Sequence, residues 1–551
     1  MGILYMPERI GRNYLLPLLF IMLLLLLWEQ GAASGDSQDF PSPSGILDAL
    51  FHELDNDNLV VAISQSLSRI FIGFGIAFVV ACLLSVIFSA VPFFKTLINP
   101  IITLISSIPP IAWTPLAIVW FGIGDETAVF IVCLGAFFPL FIAFYTAIRD
   151  IPARLISVGR TLGLRGFGEL RHIAFPQVQP QIFVGIRTAI IVAWFNVIAA
   201  ELVGVSTGLG YQIQLNRTLL MLDRVLLYMA VIGFLGIIMA AVIAFVERVA
   251  IPWHFERHSP FYFSINRMFK RIFNRGFAET DGSNVSGDHP GSPEARREGA
   301  GRSLVELSQV SYSFDGSENV LSGIDFALKE GEIVALMGSN GCGKSTLMNI
   351  VAGFIAPGGG TALFDGRLIA GPSTDRTIIF QHGILFPWLT AWENSSFAAR
   401  YGNGDLAEAD RLFRTSGLEP FRDYFPSRLS GGMRQRVALI RGVAANARLL
   451  ILDEPFSELD PLSRWDLQDY ARELIKGRNV SAIVVTHDIE EAAYLADRIV
   501  VMGPRGTPLQ GEVRVEIQER SAAVRSTPEF LSVVSNVHDM LLESKRAREP
   551  D

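Results

Sequence analysis

Long apolar runs occupy the first half of the chain, at roughly 14–32, 67–91, 99–122, 127–148, 182–205 and 226–247, each near the ~20 residues that carry a helix across a bilayer. Hydrocarbon offers a backbone no water to bond with, so every N–H and C=O in such a run must be paired internally, and uninterrupted apolar runs of this length read as helices. Half of the 551 residues are apolar and only 18% are charged, but these values average two unlike halves. Residues 1–258 read as an α-helical polytopic membrane domain of about six spans, and residues 303–520 as a soluble α/β domain with a tail over 521–551.

Loop charge sets the orientation. Segment 29–64 carries acidic residues from Glu29 to Asp57 and neither Lys nor Arg, whereas the loop at about 149–181 carries Arg149, Arg154, Arg160, Arg165 and Arg171. The positive-inside rule places the first segment outside and the second in the cytoplasm. The α/β half then lies on the cytoplasmic side. The first run also fits a cleavable secretory signal, with Arg9 and Arg12 before Leu15–Trp28 and Gly31-Ala-Ala33 after it; a retained helix is the expectation here. Pro109, Pro110, Pro115 and Pro139 predict kinks, and Asn196 and Glu201 are polar groups near the end of the fifth run. Glu201 is expected at the outer interface, in contact with water.

Between the halves, residues 259–302 hold two pieces. Phe261, Ile265, Met268, Phe269 and Ile272 alternate at helical spacing with Arg267, Lys270, Arg271 and Arg275, which suits a basic helix on the inner leaflet or a continuation of the last span. Ala278–Arg302 is rich in Gly, Ser, Asp, Glu and Pro, and reads as a flexible tether.

In the soluble half, Gly338-Ser-Asn-Gly-Cys-Gly-Lys-Ser-Thr346 directly follows the apolar strand Ile333–Met337. A glycine-rich turn between strand and helix aims backbone N–H groups and a helix N-terminus at one point, which is a polyphosphate site. Gly338, Ser339, Asn340, Gly341, Cys342 and Gly343 form the cradle, Lys344 reaches the β- and γ-phosphates, and Ser345 and Thr346 open the helix, with the Ser345 hydroxyl placed for Mg²⁺. Cys82, Cys133 and Cys342 are too far apart for a zinc site or disulfide framework, and Cys342 reads as a small filler. A net charge of −8 gives no sign of a nucleic-acid partner.

Leu429-Ser-Gly-Gly-Met-Arg-Gln435 is the most specific motif of the chain, and with the phosphate loop it resembles the ATP-binding cassette (ABC) proteins. That resemblance assigns Ser430, Gly431 and Gly432 to the nucleotide pocket of a second copy. It makes Asp453 a Mg²⁺ holder and Glu454 the general base after the strand Arg448–Leu452, His487 the γ-phosphate switch, and Gln381 a residue reaching Mg²⁺. Phe314, or its neighbour Tyr312, would stack on adenine, and Ser457-Glu-Leu-Asp460 matches the loop that crosses between copies.

The membrane half resembles ABC importer permeases. Gly163, Ile173 and Pro176 keep the spacing of their cytoplasmic loop, although Ser157-Val-Gly159 replaces the usual opening triplet and Phe175 the usual Leu. A glycine bend and a proline stop then frame a short basic helix whose apolar face docks on a partner domain. Ile108–Leu116, Ala200–Tyr211 and Leu385–Thr390 look like the nitrate, sulfonate and taurine branch. The resemblance implies a homodimer in a bacterial inner membrane that takes up a small anionic solute, binds ATP and Mg²⁺, and needs a periplasmic or lipid-anchored solute-binding protein. Its rivals are a half-size ABC exporter and a membrane ATPase that moves nothing.

Overall fold

The computed structural model describes residues 8–33, 41–91, 100–255, 302–316, 318–381, 383–402, 404–457, 459–517 and 520–546, and it divides into two compact units. The basic helix and tether expected over 259–302 lie outside the described residues, save Arg302.

The first unit comprises the described parts of residues 1–150 and 178–251. Four helices are long and apolar enough to cross a membrane: Asn58–Ala90, Asp125–Arg149, Phe167–Gly204 and Leu222–Ala250. These cover the second, fourth, fifth and sixth apolar runs. The first run lies within the helix Glu8–Ala33. The third run differs from a straight span: Pro100–Ser106 and Pro110–Phe121 meet at 78°. Neither Pro109 nor Pro110 can donate a backbone hydrogen bond, so the chain turns there through a tight helical turn, Pro110–Trp113.

Small residues let these helices approach closely. A Cβ at Gly73 would stand 2.7 Å from Val132 Cγ1, and one at Gly185 would stand 2.3 Å from Ala143 Cβ. Ala77, Ala81, Ala136, Ala189 and Ala193 are buried in the same packing.

Glu201 is 1% exposed, which overturns the expectation that it is solvated. Its carboxylate accepts from Ser66 Oγ (2.8 Å), Arg69 Nη1 (2.5 Å) and the Gly210 N–H (2.9 Å). Arg69 in turn donates Nε to Asp125 (2.8 Å) and Nη1 to the Thr207 carbonyl (2.9 Å). Burying a carboxylate is costly unless its lone pairs are filled, and here the helices Asn58–Ala90 and Leu209–Thr218 fill them.

The second unit comprises 151–177 and the described residues from Pro252 onward. Its larger sheet has the order β10-β9-β3-β8-β7-β6, with β3 (Ile333–Met337), β6 (Arg376–Ile379), β7 (Leu449–Asp453), β8 (Ser481–Val485), β9 (Arg498–Met502) and β10 (Leu509–Arg514). The inner pairings β9-β3-β8-β7-β6 are parallel and β10 is antiparallel. Strands β3, β6 and β8 are buried throughout, and apart from Arg376 and Ser481 at their starts they are apolar or β-branched, as a sheet covered on both faces requires. A second, antiparallel sheet, β2-β1-β4-β5, joins β1 (Ser303–Ser313), β2 (Asn319–Lys329), β4 (Gly359–Phe364) and β5 (Arg367–Leu368). The tail is not featureless: Pro528–Arg546 is a helix whose Phe530 and Val537 join the core.

Segment 151–177 packs inside this unit. Leu155, Val158, Leu162, Leu164 and Ile173 form one buried cluster with Phe386, Trp388, Phe397, Ala398 and Ala445. Gly163 turns there with φ +98°, and a Cβ would meet Gly402 Cα at 3.1 Å and the Tyr401 carbonyl at 3.2 Å. The expected proline stop is corrected. The helix Phe167–Gly204 runs on through Pro176, after a π-helical turn at Leu170–Ala174. Proline cannot donate to the carbonyl four residues back, that of His172, and the Trp388 indole N–H donates to it instead (3.1 Å).

Candidate active site

Parallel pairing brings the chemistry to one edge. Leu336 of β3 is in register with Val485 of β8, Val485 with Asp453 of β7, and Leu452 of β7 with Ile379 of β6. The segments that follow these strands, starting at Gly338, Thr486, Glu454 and Phe380, therefore leave the sheet side by side at its carboxyl end. Ligands bind at that end of open parallel sheets.

The phosphate loop caps β3 and opens the helix Lys344–Ala352. Gly343 has φ +110°, and a Cβ on it would strike Leu321 Cδ2 at 2.6 Å. Lys344 is buried, with its ammonium donating to the carbonyls of Gly338 (2.7 Å) and Ser339 (2.9 Å). Asn340, Gly341 and Ser345 are exposed, whereas Cys342 and Thr346 are buried. Cys342 packs with Leu347 and Met348, as a filler does.

Glu454 holds a left-handed backbone, φ +44°, which costs a non-glycine residue on the order of 1–3 kcal/mol. Its N–H donates to the Val485 carbonyl (2.9 Å), and its carboxylate lies 3.5 Å from His487 Nδ1. The His487 side chain is 64% exposed. Gln381 Nε2 donates to Ser457 Oγ (3.3 Å), and Ser457 Oγ donates to the Glu454 carbonyl (3.1 Å). Gln381, Ser457, Glu454 and His487 thus form one connected set. Asp453, beside them, is held above the ordinary carboxylate range by burial and by the neighbouring Glu454.

Phe314 is 68% exposed and meets Tyr312 edge-to-face at 5.2 Å. It is therefore not a core aromatic. Ser430 caps the helix Gly431–Ala444, accepting from the Met433 N–H (3.2 Å), with Gly431 and Gly432 half-buried behind it. A Cβ at Gly431 would lie 3.2 Å from Leu459 Cδ2, so this turn adjoins the segment after Ser457. Among the described residues no hydrogen bond or ion pair joins Ser430 to the strand-end set.

Two buried groups escaped the sequence reading. Arg441, in the last turn of the helix Gly431–Ala444, donates to the Ile384 carbonyl (2.5 Å) and braces the segment after Gln381; burial pulls its pKa down to about 9. Glu491 lines a recess together with Glu454, Ser457, Arg464, Thr486, His487 and Asp488. It is 4% exposed, and burial pushes its pKa up to about 7. A carboxyl that titrates near 4.5 when unfolded and near 7 when folded favours the folded state while protonated, so this contribution is full below pH 4.5 and is lost as pH rises from there through 7. Glu491→Gln is expected to stabilise the fold at pH 8 by on the order of 3 kcal/mol at most, and by much less at pH 5; melting midpoints of the full chain in detergent at both pH values check this.

Comparison with known proteins places both units. The family model for the binding-protein-dependent transport system inner membrane component matches residues 70–252, and that for the ABC transporter matches residues 321–457. The bicarbonate transport ATP-binding protein CmpC of Synechococcus elongatus is 39% identical over 256 residues, covering 44% of this chain; the match spans only 38% of CmpC. The taurine import ATP-binding protein TauB of a Jannaschia species is 36% identical over 250 residues, covering 43% of this chain and 93% of TauB. The aliphatic sulfonates import ATP-binding protein SsuB 2 of Burkholderia cenocepacia is 39% identical over 214 residues, covering 39% of this chain and 79% of that protein. The solved dimeric cassette MJ0796 is 26% identical, covering 39% of this chain and all of its own, with a TM-score of 0.35.

Proposed function

The chain belongs to the ABC transporter family, and from that premise we propose that it hydrolyses ATP to take up a small anionic solute across a bacterial inner membrane. One observation carries this reading: an importer-type permease and an ATP-binding cassette occupy one polypeptide, with segment 151–177 seated among the cassette's own side chains. The relatives' names, bicarbonate, taurine and aliphatic sulfonates, supply the solute class. The cassette lies in the cytoplasm, and an external solute-binding protein delivers the cargo.

The working unit is a homodimer. ATP lies against Gly338–Thr346 of one copy, adenine on Phe314, and Ser430, Gly431 and Gly432 of the other copy close over its phosphates. Lys344 exchanges its two loop carbonyls for phosphate oxygens. Glu454 polarises the attacking water, His487 holds that water against the γ-phosphate, and Gln381 links this set to the docked segment through the bracing at Ile384.

Ser345, Gln381 and Asp453 fit Mg²⁺. All three offer oxygen, as a hard cation prefers, and the half-buried Asp453 carboxylate, which makes no ion pair among the described residues, gains from a cation beside it. When bound, Mg²⁺ neutralises the charge that develops on the phosphates.

Proteoliposomes test the reading with labelled bicarbonate, nitrate, taurine and ethanesulfonate. Uptake that needs both ATP and the binding protein is the expected result. Efflux without that protein would mean an exporter, and hydrolysis with no flux would mean a membrane ATPase that transports nothing.

A further inference from the structure

The helix Phe167–Gly204 has two unlike sides. Gly185, Ala189 and Ala193 are buried against the unit's other helices. At ~100° per residue, Val184, Arg187, Thr188, Ile191 and Phe195 share one arc on the other side, and all five are exposed. Three of the five are apolar, and Arg187 is the one that carries a charge.

Its depth follows from the packing. Gly185 sits against Ala143, so Arg187, two residues nearer the outer end, lies level with about residue 141 of the antiparallel helix Asp125–Arg149. With a rise of ~1.5 Å per residue, that is roughly 24 Å from Asp125 and roughly 12 Å from Arg149. The guanidinium is rooted within the hydrocarbon depth. Among the described residues it makes no ion pair or hydrogen bond, whereas Arg69 of the same unit is held by Glu201 and Asp125. The Thr188 hydroxyl already donates to the Val184 carbonyl (2.9 Å). Arg187 is thus a charged donor that this face can offer.

An arginine left against lipid tails at this depth is costly, and such residues face water-filled paths or the ligands that cross them. We propose that Arg187 forms an oxyanion subsite on the solute path, on the face that helix 167–204 turns away from its own unit. Its fork of N–H groups pairs two oxygens of a carboxylate-, nitrate- or sulfonate-like group at once, which a neutral or cationic solute cannot accept. The subsite rests on the uptake reading above and gives it a residue that selects charge.

The test uses the full chain with its binding protein in proteoliposomes, with labelled bicarbonate, nitrate, taurine and ethanesulfonate as probes. For whichever anion the unaltered chain takes up, Arg187→Gln is expected to lower uptake at least about tenfold and Arg187→Lys to restore part of it, with the loss mainly in KM. Where Arg187→Gln does not elute as an intact protein, Arg187→Lys alone decides: a KM raised about fivefold or more supports the subsite, and an unchanged KM overturns it. Uptake by Arg187→Gln equal to that of the unaltered chain also overturns it. An unaltered chain that takes up none of the four anions removes the uptake reading first and the subsite with it.

Discussion

Glu454→Gln is expected to slow steady-state ATP hydrolysis by about a hundredfold or more while ATP remains bound. The substitution keeps the size and polarity of the side chain and removes only its ability to accept a proton. The backbone argues that this position is held for chemistry. Glu454 pays for a left-handed φ of +44°, is pinned by the Val485 carbonyl, and faces His487 at 3.5 Å. Phosphate release and ATP retained through gel filtration are the two measurements. Unimpaired turnover would remove the base assignment; loss of binding as well would mean that the residue shapes the pocket instead.

Leu162→Asp is expected to abolish solute uptake while the cassette continues to hydrolyse ATP. Leu162 is fully buried in the docking cluster, and its neighbour Gly163 turns against the backbone of Tyr401 and Gly402. An unpaired carboxylate among Phe386, Trp388 and Phe397 cannot be solvated, so the segment must leave its seat. Phe380 borders the same cluster and immediately precedes Gln381, which makes the seat continuous with the nucleotide site. Uptake and hydrolysis measured on the same vesicles decide the matter. Normal uptake would show that transport does not pass through this contact, and loss of both activities would show a folding defect.

Much of this architecture was legible because strong periodicity leaves few alternatives. Uninterrupted apolar runs announced the long membrane helices, and apolar strands running into Gly338, Asp453 and Thr486 announced an α/β domain with its chemistry at strand ends. What escaped depends on partners distant in sequence. Glu201 looks like an interfacial carboxylate until Ser66 and Arg69, more than 130 residues earlier, are brought to it. Pro176 reads as a stop because the sequence cannot show that Trp388, 216 residues away from His172, takes up the carbonyl it leaves unpaired. Arg441 and Glu491 sit in ordinary helical sequence, and only burial marks them. The bend after Ser106 is an intermediate case: the prolines announced a kink, and its 78° angle came from the packed fold.

The pocket shared between two copies is the central claim, and mixed dimers test it most directly. Two differently tagged chains, both carrying Glu454→Gln to prevent turnover, receive Lys344→Ala on one and Ser430→Ala on the other, and the doubly tagged dimers are purified. Each parent dimer lacks half of both pockets and should lose bound ATP on gel filtration, whereas the mixed dimer keeps Lys344 facing Ser430 in one pocket and should retain about one ATP. Retention of ATP by the Ser430→Ala parent, or none by the mixed dimer, would contradict a site built from two chains.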